Sequence, residues 1–147
     1  MSAIYLDYNA TTPVDPAVLD VMLPYLRGEF GNPSSTHGLG GRAHEAVEAA
    51  RAEVAALIGA TPDEIVFTSG GTEASNIAIR GGMRIDTARG DVVTTTIEHP
   101  ATEACCAFLE GEGHKVTRVA AETNGLIDAV RVAAAIDNTT ALVIRVS

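Results

Sequence analysis

From residue 65 onward, short runs rich in β-branched residues alternate with stretches of helical periodicity, and this rhythm constrains the fold more than any other feature of the sequence. Residues 65–67, 92–96, 115–120 and 140–146 read as strands. Helices are predicted between them, from the 69–72 turn through about Ile79, over 100–110, and from about Asp128 to Ile136. Strands and helices alternating at this spacing require crossover connections, so the expected fold class is α/β, a mostly parallel sheet with flanking helices. Ahead of residue 65 the pattern is helical. Asp15 followed by Pro16 marks a helix start, an acceptor at the cap and then proline at the first helical position. Val18, Leu19, Met22, Leu23 and Leu26 follow at helical spacing, with Pro24 expected to kink or shorten that helix. Residues 30–35 read as a loop. Ala43, Val47, Ala50, Val54, Leu57 and Ile58 then form an apolar stripe from about Gly41 to Ile58, with Gly59 as its stop. Residues 1–14 read as an extended segment leading into a turn, and 15–147 as a single domain.

Composition narrows the functional classes. Hydrophobic residues make up 46% of the 147 and charged residues 20%, the balance of a folded globular chain. The net charge of -9, with no cluster of Lys or Arg, argues against nucleic acid and against anionic membrane surfaces. No run approaches the length of a membrane span, and residues 1–25 lack a basic start followed by an apolar run. A cytoplasmic location is expected. Cys105 and Cys106 are adjacent, which suits neither a relaxed disulfide nor a spaced metal site, so they read as small helix residues and no metal is expected.

In an open parallel sheet, ligands bind beyond the carboxyl ends of the strands, which selects three places. After the first strand comes Ser69-Gly70-Gly71-Thr72-Glu73. It is either a phosphate-binding turn, with free amides, a helix dipole and the Thr72 hydroxyl, or a plain tight turn with Thr72 as N-cap and Glu73 favouring the helix start. After the second comes Glu98-His99-Pro100, where His99 either faces a ligand or caps the next helix. The fourth ends at Val146-Ser147. His37, His44 and His114 read as solvated residues. No paired carboxylates and no nucleophile elbow are present.

These stretches, taken in order, resemble the cysteine desulfurases of the class V aminotransferase-like group. The opening at 5–18, the FGNPSSTHGLGGRA stretch at 30–43, EIVFTSGGTEASNIAI at 64–79, TIEHPA at 96–101 and NGLIDAV at 124–130 all carry the resemblance. It implies a fold-type I enzyme that uses pyridoxal 5'-phosphate (PLP), with residues 15–147 as part of its large, PLP-binding domain. The implied reaction removes sulfur from L-cysteine, leaving alanine and an enzyme persulfide for iron–sulfur assembly or thiolation. By position, Gly71 and Thr72 would hold the PLP phosphate, and His99 would stack on its ring and serve as the catalytic side chain. Ala10 and Thr11 would lie near the substrate entrance. Implied partners are sulfur-acceptor or scaffold proteins and, for the complete enzyme, a second copy. The family's PLP-bonding lysine and nucleophilic cysteine have no counterpart here. Lys115, the sole lysine, lies where the family has a variable surface residue, and Cys105 and Cys106 lie away from the nucleophile's place. The chain alone is therefore expected to be inactive. The alternatives are a selenocysteine lyase, another class V enzyme, or a non-catalytic fragment acting as a binding module.

Overall fold

The computed structural model describes residues 4–8, 10–85 and 90–145. The expectations for residues 1–3 and Asn9 of the opening segment, and for Val146-Ser147, lie outside the described residues. The chain divides into two compact units, Met1–Val66 and Phe67–Ser147.

The first unit is helical. Helix α1 spans Pro16–Arg27, and Asp15 caps it by accepting the Ala17 amide at 2.8 Å. It passes through Pro24, contrary to the expected shortening; three helical residues follow the proline, and the bonds from Gly28 and Glu29 back to the Pro24 carbonyl close the end. Helix α2, Gly38–Ile58, starts at His37, whose Nδ1 accepts the Gly40 amide at 3.3 Å. It stops at Gly59, whose φ of 70° is the left-handed C-cap that glycine adopts without strain. The 31–40 loop closes tightly on the start of α2. A Cβ on Gly31 would lie 2.4 Å from the Leu39 carbonyl oxygen, and one on Gly40 2.3 Å from that of Ser35. A 3₁₀ turn, Pro62–Glu64, follows.

The predicted strand at 65–67 is absent from the sheet. Ile65 has extended backbone, but its amide bonds to the Pro62 carbonyl and its carbonyl accepts the Arg51 guanidinium at 2.5 Å. Local β-propensity shows that a segment can extend, and says nothing of a partner strand.

The second unit carries the α/β core. Helix α3 is Gly71–Gly82, strand β1 Asp91–Thr95, helix α4 Pro100–Gly111, strand β2 Val116–Val119, helix α5 Ala129–Ala135 and strand β3 Thr140–Val143. The strands form a parallel sheet in the order β2-β1-β3, with Val92 opposite Val116 and Thr95 opposite Val119. Parallel pairing needs long crossovers, which α4 and α5 supply. Val92 packs with Ile79, Met83, Cys105, Cys106, Leu109 and Ile144 in one core cluster. Burying such side chains contributes about 1.5–3 kcal/mol each. Val93 lines a cavity of about 270 Å³ with Val132, Ala133 and Ile136. Arg118 on β2 ties the sheet to α4, donating to Glu103 at 2.7 Å and to Glu110 at 2.7 Å. Among the described residues, no helix is long and apolar enough to cross a membrane.

Candidate functional site

The turn before α3 is held by its own glutamate. Glu73, in the first turn of the helix, folds back so that the Ser69 amide donates to Oε2 at 2.6 Å and the Ser69 hydroxyl at 2.7 Å. Those two bonds hold its carboxyl below the usual range. The N-cap is Gly70, which has no side chain to offer, so the first-turn amides of α3 are without a side-chain cap. A Cβ on Gly70 or Gly71 would meet nothing within 4 Å, so no distant part of the chain crowds these two residues. Thr72 is the second helical residue and exposed, not the N-cap; its carbonyl accepts the Asn76 side-chain Nδ2–H at 2.9 Å.

The turn between β1 and α4 is fastened in a similar way. Thr95, the last residue of β1, donates its hydroxyl to Glu98 Oε1 at 2.5 Å. His99 is exposed and caps α4: its Nδ1 accepts the Ala101 amide at 3.1 Å, and Pro100 takes the first helical position. Of the two expectations for this residue, the cap is present. His37 caps α2 through the same ring nitrogen, a role not expected of it.

Direction in the sheet separates the charged groups. His99 lies beyond the carboxyl end of β1, whereas Lys115 precedes β2, with Nζ 4.0 Å from the Asp91 carboxylate at the opposite rim. Roughly 13–17 Å of strand lies between these rims. The C-terminal parts of α3 and α4 meet, with the Arg80 guanidinium 4.2 Å from the Phe108 ring, and Arg80, Met83, Phe108, Leu109 and His114 line one hollow there. His114 also lies against Gly90, just ahead of β1. Each helix thus points its amino end, with Gly71-Thr72 on one and His99 on the other, away from the Lys115 rim.

This donor set fits part of PLP. Uncapped amides and a hydroxyl at a helix start suit a phosphate dianion, and an exposed imidazole beyond a strand end suits an aromatic ring. Lys115, the sole lysine of the sequence, is at the opposite rim from these groups. Cys105 and Cys106 belong to the core, and burial pushes both thiols above the usual range, so neither is an exposed nucleophile. Ala10 and Thr11 lie in the first unit. Their amides bond to the Asp7 carbonyl at 3.0 and 3.5 Å, and the Tyr5 hydroxyl donates to the Thr11 carbonyl at 3.1 Å. Among the described residues, no cluster of His, Cys, Asp and Glu is arranged to hold a metal ion.

A parallel sheet whose helix starts and strand ends share one rim is an α/β frame that takes ligands at that rim. The model of the aminotransferase class-V family matches residues 4–146, and the chain belongs to that family. Within it, the chain is similar to cysteine desulfurases. It is 47% identical over 143 residues to one from Nostoc sp., covering 97% of this chain and 36% of that protein. It is 51% identical over 142 residues to a mitochondrial cysteine desulfurase of Drosophila melanogaster, covering 95% and 31%. Among solved structures, a NifS-like protein superposes with a TM-score of 0.87 at 36% identity, over 95% of this chain and 39% of that one. SspA in complex with cysteine superposes with a TM-score of 0.84 at 40% identity, over 95% and 40%. The chain thus spans a little over a third of the curated Nostoc relative's length.

Proposed function

We propose that this chain supplies the phosphate- and ring-binding edge of a PLP-dependent cysteine desulfurase acting on L-cysteine. The observation that carries the reading is the pairing of an uncapped helix start at Gly71-Thr72 with an exposed His99 beyond β1, in a chain similar to cysteine desulfurases along nearly its whole length. In this reading residues 1–14 lead into a large-domain portion at 15–147. The Gly71 and Thr72 amides and the Thr72 hydroxyl bind the phosphate, and Glu73 keeps their turn in shape. His99 would face the cofactor's ring and orient the reacting groups. PLP, when bound, supplies the electron sink that this chemistry needs. The products are alanine and a sulfur atom carried on an enzyme thiol. That sulfur passes to an acceptor or scaffold protein serving iron–sulfur assembly or thiolation, in a cytoplasmic homodimer. Cys105 and Cys106, locked in the core, are not the carriers, and Lys115 is not the cofactor's lysine.

A hybrid tests this. Residues 1–147 replace the matching first third of the Nostoc cysteine desulfurase, and alanine and sulfide release from L-cysteine are followed. The expected hybrid turns over, and its Thr72→Ala variant loses PLP on dialysis, consistent with about 1.5–3 kcal/mol for a hydrogen bond to a charged group. A folded hybrid that neither retains PLP nor releases alanine would sink the proposal.

A further inference from the structure

The cap that His99 places on α4 determines which of its ring nitrogens carries the proton. The Ala101 backbone N–H is a fixed donor, so the atom receiving it at 3.1 Å, Nδ1, must present a lone pair. A neutral imidazole has one N–H, which then resides on Nε2. We infer that the start of α4 fixes His99 as the Nε2–H tautomer, so that the nitrogen left for a ligand is a hydrogen-bond donor while the basic nitrogen is engaged by the helix. The same arrangement recurs at His37, whose Nδ1 receives the Gly40 amide.

What this means for reaction rests on the function proposed above. Toward a cofactor or substrate at that rim, His99 offers Nε2–H to an acceptor such as a carboxylate, a phenolate or a thiolate. It does not take up a proton at that atom. A proton entering the ring bonds to Nδ1, and the hydrogen bond from Ala101 breaks as it does so. Proton uptake and uncapping of α4 are one event. Pro100 adds to the restriction, since its ring fixes the backbone that follows the histidine.

The test uses the 147-residue chain with ¹⁵N in its histidine rings, His99 being assigned as the signal missing from His99→Asn. At about pH 8, above the usual imidazole range, long-range proton–nitrogen spectra should show Nδ1 of His99 as a bare nitrogen and Nε2 as N–H. Magic-angle spinning of the sedimented chain reads the same shifts if tumbling is too slow. Hydrogen exchange of the Ala101 amide should speed up roughly 5–30-fold in His99→Ala, the factor expected for a lost N-cap. It should stay slow in His99→Asn, whose side-chain oxygen restores the cap. An Nδ1–H ring, an even mixture of tautomers, or unchanged Ala101 exchange in His99→Ala would overturn the inference. A silent hybrid in the activity test leaves the tautomer standing, and an active hybrid with a mixed tautomer does the reverse.

Discussion

Helices α2 and α4 begin alike, each at a histidine cap, yet only α4 is embedded in an interior. Over 12 residues α4 buries Thr102, Cys105, Cys106 and Leu109. Over 21 residues α2 buries only Gly40 and Ala55. The apolar stripe predicted on α2 is real as a sequence pattern, but Leu57 at its end is 85% exposed and Ile58 65%. The difference is the sheet. Val92, almost wholly buried, gives α4 a surface to cover, whereas α2 meets a three-residue 3₁₀ turn and, at its start, the 31–40 loop. Periodicity identifies the face of a helix that would accept cover; it does not supply the cover.

The sharpest way to break this contrast is to truncate one leucine in each helix. Leu109→Ala should destabilise the second unit by about 2–5 kcal/mol, through lost transfer energy and a cavity. Leu57→Ala should change stability by no more than about 0.5 kcal/mol. Urea unfolding of both variants measures the two values, and a comparable cost at Leu57 would show that α2 is covered after all.

A smaller effect compares arginines. Arg118 binds two glutamates at once and is only about a quarter exposed, while Arg42 meets Glu29 with both side chains more than half exposed. The two glutamates push the Arg118 guanidinium further into its charged state. Arg118→Ala should cost about 1–2 kcal/mol and Arg42→Ala under about 0.5 kcal/mol. Raising salt should shrink both, and Arg42's share first. Equal costs would mean that the double fork adds nothing.

The smallest effect is one the two units share. Glu64 accepts the Thr61 amide at 2.8 Å, as Glu73 accepts that of Ser69, and both carboxyls are held below their usual 4.5. The unfolded chain therefore binds these protons more readily than the folded one. The stabilisation is full above the unfolded value of 4.5 and is lost as pH falls through the lower folded values. The Thr61 and Ser69 amide signals, followed from about pH 6 to pH 2, should move with midpoints below the usual carboxylate value. A midpoint at that value for either would show its clasp to be open in solution.

Much of this was readable in advance because it is local. Asp15-Pro16, Gly59 and Asp128 each mark a helix boundary by side chain or φ, and the structure uses all three. The alternation after residue 90 is likewise local, and it gives the parallel sheet. What escaped the sequence depends on partners elsewhere. Residues 65–67 join no ladder, and the hydrogen bonds of extended Ile65 go to Pro62 and Arg51. Pro24 remains inside α1, since a proline's penalty can be absorbed near a helix end that closes on its own carbonyl. At the site, the strand-end rule puts His99 beyond β1, but for Gly71-Thr72 it relied on a strand at 65–67 that does not join the sheet. The cap at His99 is one of the two expectations for that residue, and the structure shows it; a cap and a ligand contact call for the same residue at the same turn, so the sequence could not separate them. Truncating His99 therefore disturbs fold and chemistry together, which is why the asparagine variant is the cleaner probe.

The paired cysteines of α4 give the molecule a chemical clock. Both thiols of the sequence sit in the second unit, 2% and 0% exposed, and the first unit has none. A thiol-specific reagent added to the folded chain can react only when α4 lifts from the sheet. Its rate counts those openings, while the helices of the first unit fray unrecorded.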